Sequence, residues 1–273
     1  TTTWSAASIS NVNAYVPTIA CLGACSLSGV PVVDFIASPD SVICVGQSIQ
    51  LIDRTLQGPA TWNWTLTDGS PSASTDRNPT VSYATAGLKT ISLSASNIAG
   101  TGASKSKSII VSNPPAAACA NTGTSLSNAG IKRFQLNTIN RTSGGAADDA
   151  NKYVDRTCTD ITRLAPLTKY TVTVNVGDQG TNTFNIINFY IDYNNDGDFD
   201  DQHEQVYSSD DEGGYIGTVS FDFTTPASIP INQFLRARII AKDFLSIPDD
   251  ACHNPSAGQI EDYSVYFILS TPL

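Results

Sequence analysis

Residues 170–176 read YTVTVNV. Tyr170, Val172, Val174 and Val176 alternate with Thr171, Thr173 and Asn175, the two-residue period of a strand with one face in a core and the other in water. The same period returns downstream in Phe189, Ile191 and Tyr193, in Val219, Phe221 and Phe223, in Leu235, Ala237, Ile239 and Ala241, and in Tyr263, Val265, Phe267 and Leu269. Upstream the stripes are shorter: Val33 and Phe35, Ile49 and Leu51, Trp62, Trp64 and Leu66, Val81 and Tyr83, Ile91, Leu93 and Ala95, then Ile109 and Val111. Turn residues such as Asp68-Gly69 and Asn97-Ile98-Ala99-Gly100 separate them. No stretch has the period of an amphipathic helix. The reading is all-β: two β-sandwich domains in tandem, the first Ig-like and the second a larger antiparallel sandwich.

The boundaries follow composition. Residues 1–30 carry no charged side chain and read as a leader or linker, residues 31–113 form the first sandwich, which Asn113-Pro114-Pro115 closes, and residues 114–273 form the second. The chain of 273 residues is long enough for two cores. Its net charge of -10 lies in the second half, because residues 31–113 hold equal numbers of basic and acidic side chains. An acidic balance without a basic stripe argues against nucleic acid and anionic membrane surfaces as partners. No apolar stretch has the length of a membrane span. The lack of an initiating Met and of a signal peptide reads as an excised piece of a longer precursor.

One stretch stands apart from the strand pattern. Residues 192–200 read DYNNDGDFD. Asp192, Asn194 and Asp196 stand two apart and Gly197 follows, the oxygen-ligand spacing and sharp turn of a calcium loop. Nine acidic side chains and no Lys or Arg lie between Asp192 and Glu212, a concentration of like charge that a divalent cation relieves. The expected ligands are Asp192, Asn194, Asp196 and Asp198, with Glu204 closing the site one place beyond the usual twelfth position. Glu261 and Asp262 join them if their strand pairs beside the loop. The plain alternative is a solvated acidic turn without an ion. Magnesium fits less well, since it keeps its waters and seldom fills an all-protein cage.

Six cysteines, Cys21, Cys25, Cys44, Cys119, Cys158 and Cys252, lie in no CxxC pattern and read as disulfide partners in an oxidising compartment. Pairing within each half is favoured, with Cys119 reaching Cys158 or Cys252. The two histidines, His203 and His253, belong to no catalytic motif: His203-Glu204-Gln205-Val206-Tyr207 has Tyr where HExxH needs its second His. Trp62 and Trp64 share one strand face and read as core. Arg236 and Arg238 share the other face of their strand and read as a solvated ladder paired with acids.

Residues 31–113, with Cys44-Val45-Gly46-Gln47, Trp62-Asn63-Trp64, Asp68-Gly69, Asn78-Pro79-Thr80-Val81 and Ala86-Gly87, resemble a PKD domain, an Ig-like module of secreted and surface proteins. Residues 119–269 resemble a GEVED domain, through Ile191-Asp192-Tyr193-Asn194-Asn195-Asp196-Gly197-Asp198-Phe199 and the terminal Gly258-Gln259-Ile260-Glu261-Asp262-Tyr263, where Gln259 replaces the family's first Glu. This order, after Trp4-Ser5-Ala6-Ala7, is similar to the region beyond the catalytic domain of pappalysin-like (cytophagalysin) zinc metallopeptidases secreted by Bacteroidetes-type bacteria. The resemblance implies a non-catalytic, calcium-stabilised accessory region of a secreted Gram-negative exoprotein. Its partner would be the upstream catalytic domain of the same precursor, or a surface protein or glycan. The alternative is an adhesin or glycan-binding module.

Overall fold

A computed structural model describes residues 29–38, 42–119, 130–144, 153–177, 184–243, 251–252 and 257–268. Cys21, Cys25, His253, Leu269 and the Trp4 leader lie outside the described residues. The described chain is built from strands and turns, without an α-helix, and no helix is long and apolar enough to cross a membrane.

The first half contributes β1 (Phe35–Ser38), β2 (Val42–Cys44), β3 (Ser48–Asp53), β4 (Thr61–Leu66), β5 (Gly69–Ser70), β6 (Ala73–Ser74), β7 (Thr80–Tyr83), β8 (Gly87–Asn97), β9 (Gly100–Thr101) and β10 (Lys105–Ser112). They form sheets ordered β1-β3-β7-β5 and β2-β10-β8-β4-β6. The alternation read from the sequence is the alternation of burial: Phe35, Ile49, Leu51, Trp64, Leu66, Val81, Ile91 and Leu93 are all buried. Trp64 is the centre of this core, edge-on to Phe35 at 5.0 Å with its indole N–H donating to Asp76 O at 2.8 Å. Trp62 is only half-buried, with the Arg77 guanidinium 5.7 Å from its ring.

The second half contributes β11 (Ile131–Leu136), β12 (Ile139–Thr142), β13 (Tyr153–Asp155), β14 (Ile161–Leu164), β15 (Lys169–Val176), β16 (Asn185–Ile191), β17 (Gln205–Ser208), β18 (Gly217–Thr224), β19 (Phe234–Asp243) and β20 (Gly258–Phe267). One sheet runs β12-β11-β15-β18 and the other β13-β20-β19-β16-β17. Val172, Val174, Val176 and Phe221 of one sheet share an apolar core with Phe189, Leu235, Tyr263 and Val265 of the other. The pairing is antiparallel except at β13 and β14, which both join β20 in parallel.

By compactness the chain forms two units, one of residues up to 40 with 48–82 and 89–108, the other of 41–47, 83–88 and everything from 109. The disulfides belong to the second unit. Cys119–Cys252 is one of the pairs expected, but Cys44 bonds Cys158. Pairing within each sequence half therefore fails for Cys44, because β2 packs its Val42 and Cys44 against Phe234 and Tyr266, with Cys158 beside them.

Candidate metal centre

The acidic loop leaves β16 and returns through Glu204 into β17. Its ends are fixed by backbone bonds: Ile191 N–H donates to Glu204 O at 2.9 Å, and Asp192 N–H to Arg236 O at 2.9 Å. Asp192 is completely buried. Its Oδ1 accepts the N–H groups of Asn195 at 2.5 Å and Asp196 at 3.2 Å, and its Oδ2 accepts that of Gly197 at 3.0 Å. The first ligand of the motif thus shapes the turn. Gly197 sits at φ +97°, where a Cβ would also meet Ala117 O at 2.7 Å, so two independent constraints demand glycine.

Inside the turn, Asp196, Asp198 and Asp201 each bring a carboxylate oxygen within 4.8 Å of the others. Asn194 Nδ2 donates to Asp196 Oδ2 at 2.8 Å and Asp201 Oδ2 at 2.5 Å, so an amide stands between the carboxylates. Glu204 follows the turn into β17. It is 1% exposed, its Oε1 accepts the N–H groups of Tyr193 at 2.8 Å and Asn194 at 3.4 Å, and its Oε2 has no hydrogen-bond partner among the described residues. Burial pushes the Glu204 carboxyl up to about 7, and the charges of Asp192 and Asp201 push the same way. Burial also raises Asp192, against its N–H donors. Asp200 is raised by its hydrogen bond with Asp198 and by the neighbouring carboxylates.

These features fit a hard cation. Calcium takes six to eight oxygens, often including a bidentate carboxylate, and a buried carboxylate oxygen without a donor is costly unless something positive meets it. Of the expected ligands, Asp196 and Asp198 form one carboxylate group with Asp201, Asn194 hydrogen-bonds to that group, and Asp192 and Glu204 meet the turn through its backbone N–H groups. Asp201 was missed, because a template of alternate positions skips the second residue of an Asp-Asp pair.

Glu261 and Asp262 belong elsewhere, which corrects the expectation that they join the loop. Their strand, β20, pairs with β19, and β19 intervenes before β16. Asp262 lies on the sheet's outer face, where Arg238 holds both oxygens from Nε and Nη2 at 2.7 Å each, and Arg236 Nη1 and Tyr153 Oη reach Oδ2 at 2.7 Å. Glu261, on the inner face, accepts from Ser143 Oγ at 2.5 Å, from Arg156 Nη2 at 3.4 Å and from Tyr263 Oη. Arg236 and Arg238 are 4% and 0% exposed, so the expected solvated ladder is a buried cluster. Ala116 O and Ala251 O accept from these guanidiniums, and Phe199 lies 4.9 Å from that of Arg238. The terminal motif is scaffold: Gln259 Oε1 accepts Ile131 N–H at 2.8 Å, and Tyr263 stacks on Phe134 at 4.4 Å. His203 is exposed in the acidic loop at φ +77°.

The four sheets define a chain of two β-sandwich modules. Residues 29–111 match the PKD domain family and residues 186–266 the GEVED domain family. The chain thus contains a PKD domain at residues 29–111 followed by a GEVED domain at residues 186–266. No curated protein matches it. Among solved structures it is similar to carbohydrate-binding modules of the β-sandwich superfamily (12% identity, 77% of this chain and 89% of that one, TM-score 0.28). It is also similar to a Bacteroides ovatus mixed-linkage glucan utilisation protein, SGBP-B, in complex with a heptasaccharide (10%, 87% and 70%, 0.24), and to tandem Ig repeats of Dlar (9%, 89% and 100%, 0.24). At these TM-scores the likenesses carry nothing over to ligand or partner.

Proposed function

We propose that this chain is a non-catalytic accessory region of a secreted bacterial exoprotein, which it spaces, tethers or targets, and that calcium in the 192–204 loop stabilises its GEVED sandwich. The observation that supports the calcium is Glu204: one buried oxygen is tied to the loop's own amides, and the other has no hydrogen-bond partner among the described residues. Asp192, Asn194, Asp196, Asp198, Asp201 and Glu204 would hold the ion, which supplies charge neutralisation and cross-links both ends of the loop. An ion bound by the native state alone stabilises by linkage, about 4 kcal/mol when free calcium exceeds Kd a thousandfold. Two disulfides accord with an extracellular setting. The parent in this reading is a pappalysin-like zinc metallopeptidase, supported by the module order and the Trp4-Ser5-Ala6-Ala7 leader.

Thermal unfolding in calcium and in excess chelator, with elemental analysis of the purified chain, tests the metal. The expected result is a melting temperature several degrees higher with calcium and about one ion bound. Identical melting curves and no bound metal would sink it. Sequence upstream of Thr1 tests the parent, which is expected to contain HExxH.

A further inference from the structure

Strand edges separate β18 from the rest of the molecule. The outermost strands of the four sheets are β1 and β5, β2 and β6, β12 and β18, β13 and β17. Seven of these have two to four residues, while β18 has eight. All eight pair in unbroken register with β15 on one side, and no strand pairs with the other side among the described residues. In an edge strand alternate residues turn N–H and C=O outward, and native proteins blunt such edges with shortness, proline, lysine or a bulge. β18 reads GTVSFDFT and has none of these. Its one charge, Asp222, is engaged within the sheet by Lys169 at 2.7 Å and Thr171 at 2.6 Å.

Beside the last residues of this edge lies an open cleft of about 460 Å³, lined by Tyr193, His203 and Gln205 and by Asp222, Phe223 and Thr224 of β18. It gives side chains of an added strand room between the sheets. Farther along, Tyr207 stacks on Phe221 at 3.8 Å and fills that space. The edge has an apolar row, Val219, Phe221 and Phe223, and a polar row, Ser220, Asp222 and Thr224. A guest must alternate in the same way. The neighbouring Asp192–Glu212 segment, with nine acidic and no basic side chains, favours a cationic guest. It also disfavours a second copy of this chain, whose net charge is -10.

We propose that the free edge of β18 is a docking site for an extended polypeptide segment of alternating apolar and basic residues, which adds a strand to the β12-β11-β15-β18 sheet. A row of outward peptide groups at a two-residue repeat is matched by another peptide backbone. The site goes beyond the accessory role by naming a partner class, and it rests on β15 and β18, not on calcium.

The test is a titration of the full chain, followed by amide NMR, with a synthetic peptide of alternating lysine and valine the length of β18. It is run in calcium and again in chelator, so that loss of metal binding and loss of peptide binding are read separately. The same peptide methylated at every backbone nitrogen, a block peptide of identical composition, and cellohexaose serve as comparisons. The expected result is perturbation of the amides of residues 217–224 and 203–206, slowed exchange at alternate β18 amides, and about tenfold or weaker binding of the methylated peptide. Equal binding of the methylated peptide, perturbations confined to residues 192–202, or perturbation of β18 by cellohexaose in place of the peptide would each overturn the proposal.

Discussion

Glu204, expected from the sequence to close the acidic loop, is buried at the entry to β17. Its place one residue beyond the usual closing position is accommodated by the left-handed His203 before it, which lets the chain enter β17 with the carboxylate turned under the loop. A calcium-free chain must bury this group, and its carboxyl is pushed from an ordinary 4.5 up to about 7. A raised folded-state value means that the group favours folding below pH 4.5 and that this contribution is lost as pH rises through 7, on the order of 3 kcal/mol in all. In chelator, the melting temperature is therefore expected to fall between pH 5 and pH 8, and in calcium, which favours the carboxylate, to rise or stay level. Glu204→Gln should flatten the chelator profile and weaken calcium at least about tenfold. A chelator profile that Glu204→Gln leaves unchanged would refute this account. The spacing from Asp192 to Gly197 was legible because a tight turn can gather oxygens in few ways. Asp201 was not, since its approach depends on how the return path folds.

At the scale of strands, period-two patterning located β15, β16, β18, β19 and β20 by their apolar stripes, although burial alternates only in β15 and β18 and is nearly continuous in β16, β19 and β20. It could not give their order, and order decides what Glu261 and Asp262 touch. Nor could it show that β19 and β20 are buried on both faces: the cover over Arg236 and Arg238 comes from Ala116 and Ala251, remote in sequence. The Asp262 cluster joins β20 to β19 by charge as well as by backbone. Asp262→Asn would leave two buried guanidiniums facing a neutral amide and should cost about 3–5 kcal/mol. Urea unfolding would measure it, and calcium affinity of the still-folded fraction should hardly change. A large loss of calcium affinity with little loss of stability would return Asp262 to the metal site.

Across the whole molecule, the pair of domains was readable from short motifs, whereas the Cys44–Cys158 bond was not, since spacing along the chain says nothing about which loop meets which. The other disulfide has the wider reach. Cys119 N–H donates to Gly197 O at 3.3 Å, Ala116 N–H donates to Asn195 Oδ1 at 2.8 Å, and Arg238 Nη1 lies 3.5 Å from Cys119 Sγ. The Ala116–Cys119 segment thus buttresses the acidic turn and is itself anchored by Cys252. Cys119→Ala with Cys252→Ala should weaken calcium binding by about tenfold while the β-sheet circular dichroism remains; unchanged affinity would show that the segment holds its place without the bond.

That anchorage sets an order of maturation. In the reading proposed above, a nascent chain in a thiol-rich cytosol would have neither the brace nor, at submicromolar calcium, the ion, and its acidic turn would be held by its own hydrogen bonds alone. If the chain is exported as proposed, export would supply both at once, and the module would harden only after leaving the cell that made it.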